Sequence, residues 1–381
     1  MAKTLSKESI LQAVADEKLG FKFGKPDRPS ESSLACILPI LRETSQVRQY
    51  ITMPETDQVL VTDSGTIYKV NLKNSSKDNV FLRSGTIFEG KGTQSRIITR
   101  SAVLFPGMEV ALDARCVHAS HGIRSGNKFS YGGTVPMDVE NAIYGSGFTP
   151  RDQHTVWSNV TKTTASMNTR RGVVPAQRRA AGMRSLGIIG RPTPRMDSLI
   201  DADRFERSAF SEQAQNTSCF VSEDFSARIS NPTANQIGSD DLKANFDAFA
   251  KDFASILSKA RLHENQVGLA LITVSGCKTL ELFDVPTSWE VLHKDAVKRM
   301  GTELLQGEDK TNVFEYKPEN AINAAKKVLA LDYKTNLIYE HKPSNGEPHV
   351  VINGLTSSRY VGEVVELDGR VIHLVILETT N

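Results

Sequence analysis

Between Val80 and Ile123 the chain never runs more than a few apolar residues before a Gly, a Pro or a polar break. Val80 to Leu82, Ile97 to Ile98, Ala102 to Phe105 and Val110 to Leu112 are rich in β-branched and aromatic residues and bounded by turn formers, which is how short strands read. Upstream, Leu34 to Leu41, Val59 to Thr62 and Ile67 to Leu72 continue the series, with Asp63-Ser64-Gly65 as the hairpin turn between the last two. Strands this short, separated by turns rather than helices, imply a mostly antiparallel domain ending near Val160.

Polar residues at the ends of such strands are held rigidly, so candidate chemistry is sought there. Gly85 and Gly90-Lys91 have the spacing of a phosphate loop, but Gly92 stands where Ser or Thr should meet magnesium, and strand-like residues follow where a helix should open. The stretch reads as a glycine-bearing hairpin. Lys91, Gln94 and Arg96 lie within six residues; Lys and Arg suit a diphosphate, Gln both donates and accepts, and Gly90 and Gly92 allow close backbone approach. Cys116-Val117-His118 offers a thiol and an imidazole two positions apart. Alternation puts these two on one face and His121 on the other, so no zinc set forms and no metal is expected. Cys116 with His118 as a nucleophile and base requires a lowered thiol pKa that spacing alone does not supply.

Gly85, Gln94-Ser95-Arg96, the turn at Pro106-Gly107, Cys116-Val117-His118, and the closing run Leu282-Phe283-Asp284-Val285-Pro286 together resemble the ADP-ribosylglycohydrolase- and rhodanese-phosphatase-associated protein family. The resemblance covers roughly residues 34–160 and 265–305, read by pattern. It implies a link to ADP-ribose and NAD metabolism. Thr86 and Ile87 stand where that family has paired Glu, and His118 where it has Glu after Cys, so acid–base roles of those carboxylates are not carried over and catalysis is left open.

The sharpest compositional shift is Lys162 to Met196, which holds eight cationic side chains in 35 residues with no Asp, Glu or aromatic. Three prolines and several glycines make an extended arm the expectation, with Arg170, Arg171, Arg178, Arg179, Arg184, Arg191 and Arg195 as contacts to phosphates or to an acidic partner. Gly122 to Gly147 reads as a long loop. Ser6 to Leu19 is a short amphipathic helix. A helix runs from the Ser239-Asp240-Asp241 cap to about Leu262, its Phe246, Phe249 and Phe253 forming core or an oligomer seam. Val267 to Ser275 with Lys278 to Asp284 form a hairpin, Pro286 to Leu305 and Pro318 to Leu331 form helices, and strands follow to the end, with Asp368-Gly369 a hairpin turn.

The fold class is therefore α+β, with an antiparallel β-rich body, an arginine-rich extended insertion and a helical plus strand-rich C-terminal part. The segments are 1–33 helix and linker, 34–161 β-rich domain, 162–238 arm, 239–335 helices and hairpin, and 336–381 a β extension for assembly. Scattered Cys36, Cys116, Cys219 and Cys277, and no apolar leader or membrane-length run, point to the cytoplasm. The leading expectation is a nucleotide-binding protein for ADP-ribose or NAD with no cofactor of its own. The alternatives are a nucleic-acid or ribosome-binding protein using the arm, or a structural protein self-assembling as a homo-oligomer through arm and tail.

Overall fold

The computed structural model describes residues 7–28, 34–90, 93–117, 123–144, 152–171, 242–304, 317–343 and 346–379. Met1–Met167 with Asp240–Asn381 form one compact unit, and Asn168–Ser239 another, of which only 168–171 are described. Arg178, Arg179, Arg184, Arg191 and Arg195 lie outside the described residues, as do Lys91 and His118. The first unit is α+β with antiparallel sheets and a six-stranded barrel.

Its chain starts with α1 (Lys7–Ala15), β1 (Phe21–Phe23) and β2 (Ala35–Arg42). β3 (Ile51–Thr52), β6 (Val80–Leu82) and β9 (Ala102–Leu104) make a three-stranded sheet in which β3 and β6 are parallel. β4 (Val59–Asp63), β5 (Lys69–Asn74), β7 (Thr86–Gly90), β8 (Arg96–Ile98), β10 (Glu109–Cys116) and β11 (Lys128–Thr134) close into a barrel in the order β10-β5-β4-β11-β7-β8. α2 (Met137–Ile143) and α3 (Gln153–Arg170) follow, then α4 (Leu242–Asp252) and α5 (Ala254–Leu257). β12 (Gln266–Thr273), β13 (Gly276–Phe283), α6 (Pro286–Arg299), α7 (Gly301–Leu304), α8 (Pro318–Leu329), β14 (Lys334–His341), β15 (Val350–Thr356), β16 (Tyr360–Leu367) and β17 (Arg370–Glu378) complete it.

The second sheet has eight strands in the order β1-β2-β12-β13-β17-β16-β15-β14. Both its faces are buried: Ile10, Val14, Ala321 and Ala325 of α1 and α8 cover one, while Trp289 and Val297 of α6 and the outward Ile87 and Ile97 of the barrel cover the other. This is why β12, β16 and β17 read as nearly continuous apolar runs instead of alternating. Of the tail expected as a β extension, β15, β16 and β17 lie inside this sheet, β17 hydrogen-bonded between β13 and β16, and β14 forms its edge. Asp368 and Gly369, both at positive φ, make the tight turn that its sequence announces.

Three other expectations change. Gly122 to Gly147 is not one long loop but contains β11 and α2, because Phe129 fits a strand position of the barrel and Met137, Val139 and Ile143 bury a helical face. Lys162 to Arg170 is helical rather than extended, since no Gly or Pro interrupts the chain from Gln153 to Arg171 and Val156, Val160 and Met167 are buried at helical spacing. The Phe-rich helix stops at Asp252 and resumes as α5; Phe246 and Phe249 pack with Met167, so that face is core.

Where the barrel side meets the eight-stranded sheet, four charges form a closed ring. Arg83, just after β6, donates from Nη1 to Glu140 of α2 at 2.8 Å and from Nη2 to Glu281 of β13 at 3.1 Å. Arg299, the last residue of α6, donates to the same carboxylates at 2.6 and 2.7 Å. Their side chains are at most 4% exposed. Burial alone would push Glu281 up, but the two guanidiniums overcome it and hold its carboxyl well below the usual range. Gly85 (φ +74°) must be glycine here, because a Cβ would lie 3.2 Å from both Arg83 Nη1 and Glu140 Oε1. Removing one member strands the opposite charges, so Arg299→Ala should cost about 3 to 5 kcal/mol in urea unfolding.

Glu363 of β16 lies on the same sheet face as Glu281, because both pair with Val375. It is fully buried and accepts the Ser101 N–H at 3.1 Å. Burial pushes it up to about 7, against which the Ser101 bonds and Arg83 pull only partly. Its ordinary value is 4.5, so the folded state binds the extra proton and stability falls as pH rises between about 4.5 and 7. Glu363→Gln should match the wild type below that window and exceed it by roughly 3 kcal/mol at about pH 8, at 1.36 kcal/mol per pKa unit. Denaturation of both proteins across pH checks this.

Candidate functional site

Period-two alternation decides what reaches one end of the barrel interior. Val59, Val61 and Asp63 share a face of β4; Ile98 and Arg96 share one of β8; Leu112, Ala114 and Cys116 share one of β10. The apolar members of each set belong to a single barrel core with Val70, Leu72, Phe88 and Phe129. Each of these strands ends its inward row with a polar residue, so Asp63, Arg96 and Cys116 meet at the same end. Arg96 and Cys116 are direct cross-strand partners.

Arg96 is fully buried. Its Nη1 donates to the Gln94 carbonyl at 2.6 Å and lies 3.7 Å from Cys116 Sγ. Its Nη2 is 3.5 Å from both Asp63 Oδ2 and the Thr66 carbonyl, and its buried Nε has no hydrogen-bond partner. Asp63 is committed elsewhere: Oδ1 accepts from Gly65 N at 2.9 Å, and Oδ2 from Thr93 Oγ1 at 2.5 Å and Arg124 N at 3.3 Å. A guanidinium with five donors thus sits out of water with only one short bond.

The thiol of Cys116 donates to Gln94 Oε1 at 2.9 Å. Its backbone is held by Gln153 at the start of α3, whose Oε1 accepts the Cys116 N–H and whose Nε2 donates to the Cys116 carbonyl, both at 2.8 Å. One side-chain amide takes the place of a neighbouring strand, since the β10–β5 pairing has ended at Asp113.

Of the residues anticipated, Gln94, Arg96 and Cys116 come together. Arg170 ends α3 and Arg171 follows it in a turn. The supposed turn residue Asp63, with Thr93 and Gln153, completes the cluster unforeseen. Asp63 had a readable signal, because it continues the inward row of Val59 and Val61; Gln153 had none, since its partner is a backbone 37 residues away.

The model of the ARG and Rhodanese-Phosphatase-superfamily-associated Protein domain, ARPP-1, matches residues 25–377. The chain belongs to the ARPP-1 family. The match runs well past the two stretches by which the sequence resembled the family and takes in nearly the whole C-terminal tail, in accord with β15, β16 and β17 lying inside the main sheet. No curated protein and no solved structure matches this ARPP-1 chain significantly.

Gln153→Ala would strand a buried N–H and a buried carbonyl at once. From about 1 to 3 kcal/mol per stranded group, it should destabilise the protein by roughly 2 to 6 kcal/mol in urea unfolding. Gln153→Glu, which keeps the acceptor and loses the donor, should fall between the two.

Proposed function

We propose that this ARPP-1 protein binds an anionic small molecule of the nucleotide diphosphate class, ADP-ribose or NAD, at the Arg96 end of its barrel. The observation that carries the reading is the underused guanidinium of Arg96, buried with an unpartnered Nε and two contacts stretched to 3.5 Å. A phosphate oxygen is the partner such a group lacks, because it supplies a negative charge and several lone pairs in the plane of the fork. Gln94, whose amide already turns toward Cys116, adds a group able to donate or accept. The choice of ADP-ribose and NAD among anions rests on reading ARG in the family description as ADP-ribosylglycohydrolase.

Among the described residues, the cluster's carboxylate Asp63 is already paired with a backbone amide, a hydroxyl and a guanidinium, so it holds the site together and is not free to act as a general base.

Calorimetric titration of ADP-ribose, NAD and ADP tests this. Arg96→Ala should weaken binding by roughly 1.5 to 3 kcal/mol, the range of a charge-assisted hydrogen bond. Because Arg96 also holds the barrel end together, Gln94→Ala is titrated beside it and should lose affinity while keeping the wild-type circular dichroism. No heat from the wild type with any of the three ligands, or equal affinities in all three proteins, overturns the proposal.

A further inference from the structure

In the eight-stranded sheet β2 and β13 run one way and β17 runs the other, so the last residue of β2, the residue after β13 and the first of β17 meet at one end. These are Arg42, Asp284 and Arg370. The irregular chain from 43 to 50 crosses the same end. Its Val47 carbonyl accepts from Arg370 Nη1 at 3.0 Å, and its Tyr50 hydroxyl donates to Asp284 Oδ1 at 2.7 Å. It also brings in Arg48, whose guanidinium lies 5.2 Å from the centre of the Tyr50 ring.

Three guanidiniums here face two carboxylates. Arg48 is taken by Glu55, with Nη1 on Oε1 at 2.8 Å and Nη2 on Oε2. Arg370 is paired with Asp284 Oδ2, while Oδ1 is occupied by Tyr50, whose oxygen accepts in turn from Ser288 at 2.9 Å. Arg42 is left over. It is 4% exposed, yet among the described residues its guanidinium makes one hydrogen bond, from Nη1 to the backbone carbonyl of Asp284 at 2.7 Å, and otherwise lies over the Phe21 ring at 4.6 Å. The adjacent Glu43 turns away to Lys22 at 3.0 Å. Burial lowers Arg42 from its ordinary value; the charge on Asp284 opposes this and that on Arg370 adds to it. The Nε atoms of Arg42, Arg48 and Arg370 are all buried without a hydrogen-bond partner.

A buried cation with no carboxylate of its own is costly, and an anion from outside the chain removes that cost. Arg48 and Arg370 are 16% and 17% exposed, so solvent reaches this end of the sheet. Guanidiniums carried by separate strands approach from separate directions. That suits a tetrahedral oxyanion, with lone pairs on several sides, better than a planar carboxylate, which a single fork fills. We propose that this end of the sheet binds a phosphate group between Arg42 and Arg370, with Arg48 at the rim. The site shares no residue with the barrel end at Arg96 and does not rest on the ligand proposed there.

Equilibrium dialysis of the full chain against radiolabelled inorganic phosphate is the test. The wild type should bind it, and Arg42→Gln and Arg370→Gln should each weaken this site by about tenfold to a hundredfold, the scale of a charge-assisted hydrogen bond. Arg370→Gln, at the more exposed position, carries the test where circular dichroism shows that Arg42→Gln does not fold. Gln94→Ala should leave this phosphate in place, and Arg370→Gln should leave ADP-ribose binding at the barrel end in place, so either site can fail without the other. Sulfate should displace the phosphate and acetate should not. Displacement by glycerol phosphate at equal concentration assigns the site to a phosphate ester, and its failure to displace assigns it to the free ion. No phosphate bound by the wild type up to about 10 mM, undiminished binding in a folded Arg370→Gln protein, or displacement by acetate as readily as by sulfate overturns the proposal.

Discussion

The ring of Arg83, Glu140, Arg299 and Glu281 is the constraint on which the arrangement of layers depends. Each arginine bonds both carboxylates and each carboxylate bonds both arginines. Taking four charges out of water is costly, and a buried ion pair seldom outweighs apolar residues of the same volume. What the ring supplies is alignment. The link after β6, α2, β13 and the end of α6 must all arrive in place, or a charge is left buried without its partner at a cost of several kcal/mol. His373 of β17 leans on the same Glu281 at 3.1 Å, and burial keeps its imidazole below the usual range, so it stays neutral beside the carboxylate near pH 7.

That alignment also sets the background against which the barrel can hold a polar end. The outer residues Ile87 and Ile97 pack on the sheet and its helices, while the alternate residues Phe88, Arg96 and Ile98 turn inward. A strand anchored on its outer face cannot slip by one residue without exchanging every inward side chain for an outward one. Arg96 is therefore fixed inside the barrel by the packing of Ile97 outside it. Gln153, reaching from α3 to the last residue of β10, fixes the neighbouring strand, whose Cys116 pairs with Arg96.

At the barrel end the Arg96 guanidinium is buried with fewer close partners than it has donors, and this is the feature on which the proposed ligand binding rests.

Much of the scaffold is written locally. Short β-branched runs between turn formers mark β4, β5, β6, β8, β9 and β10, Asp368-Gly369 marks the β16–β17 hairpin, and the prolines at 286 and 318 open α6 and α8. Gln94, Arg96 and Cys116 could be picked out because they are polar residues at strand ends in a pattern shared with a family. Other features are invisible until strands distant in sequence are placed side by side. Arg83 lies 198 residues from Glu281, and Arg299 lies 159 from Glu140, so neither residue type nor spacing announces the ring. The tail looked like an appendage because its strands follow everything else in the chain, yet pairing puts β17 in the middle of the sheet. Local propensity chose the elements, since it depends on neighbours in sequence; the order of the strands, the partners of the buried charges and the polar end of the barrel were decided only by tertiary structure, since each depends on which strands come to lie beside one another.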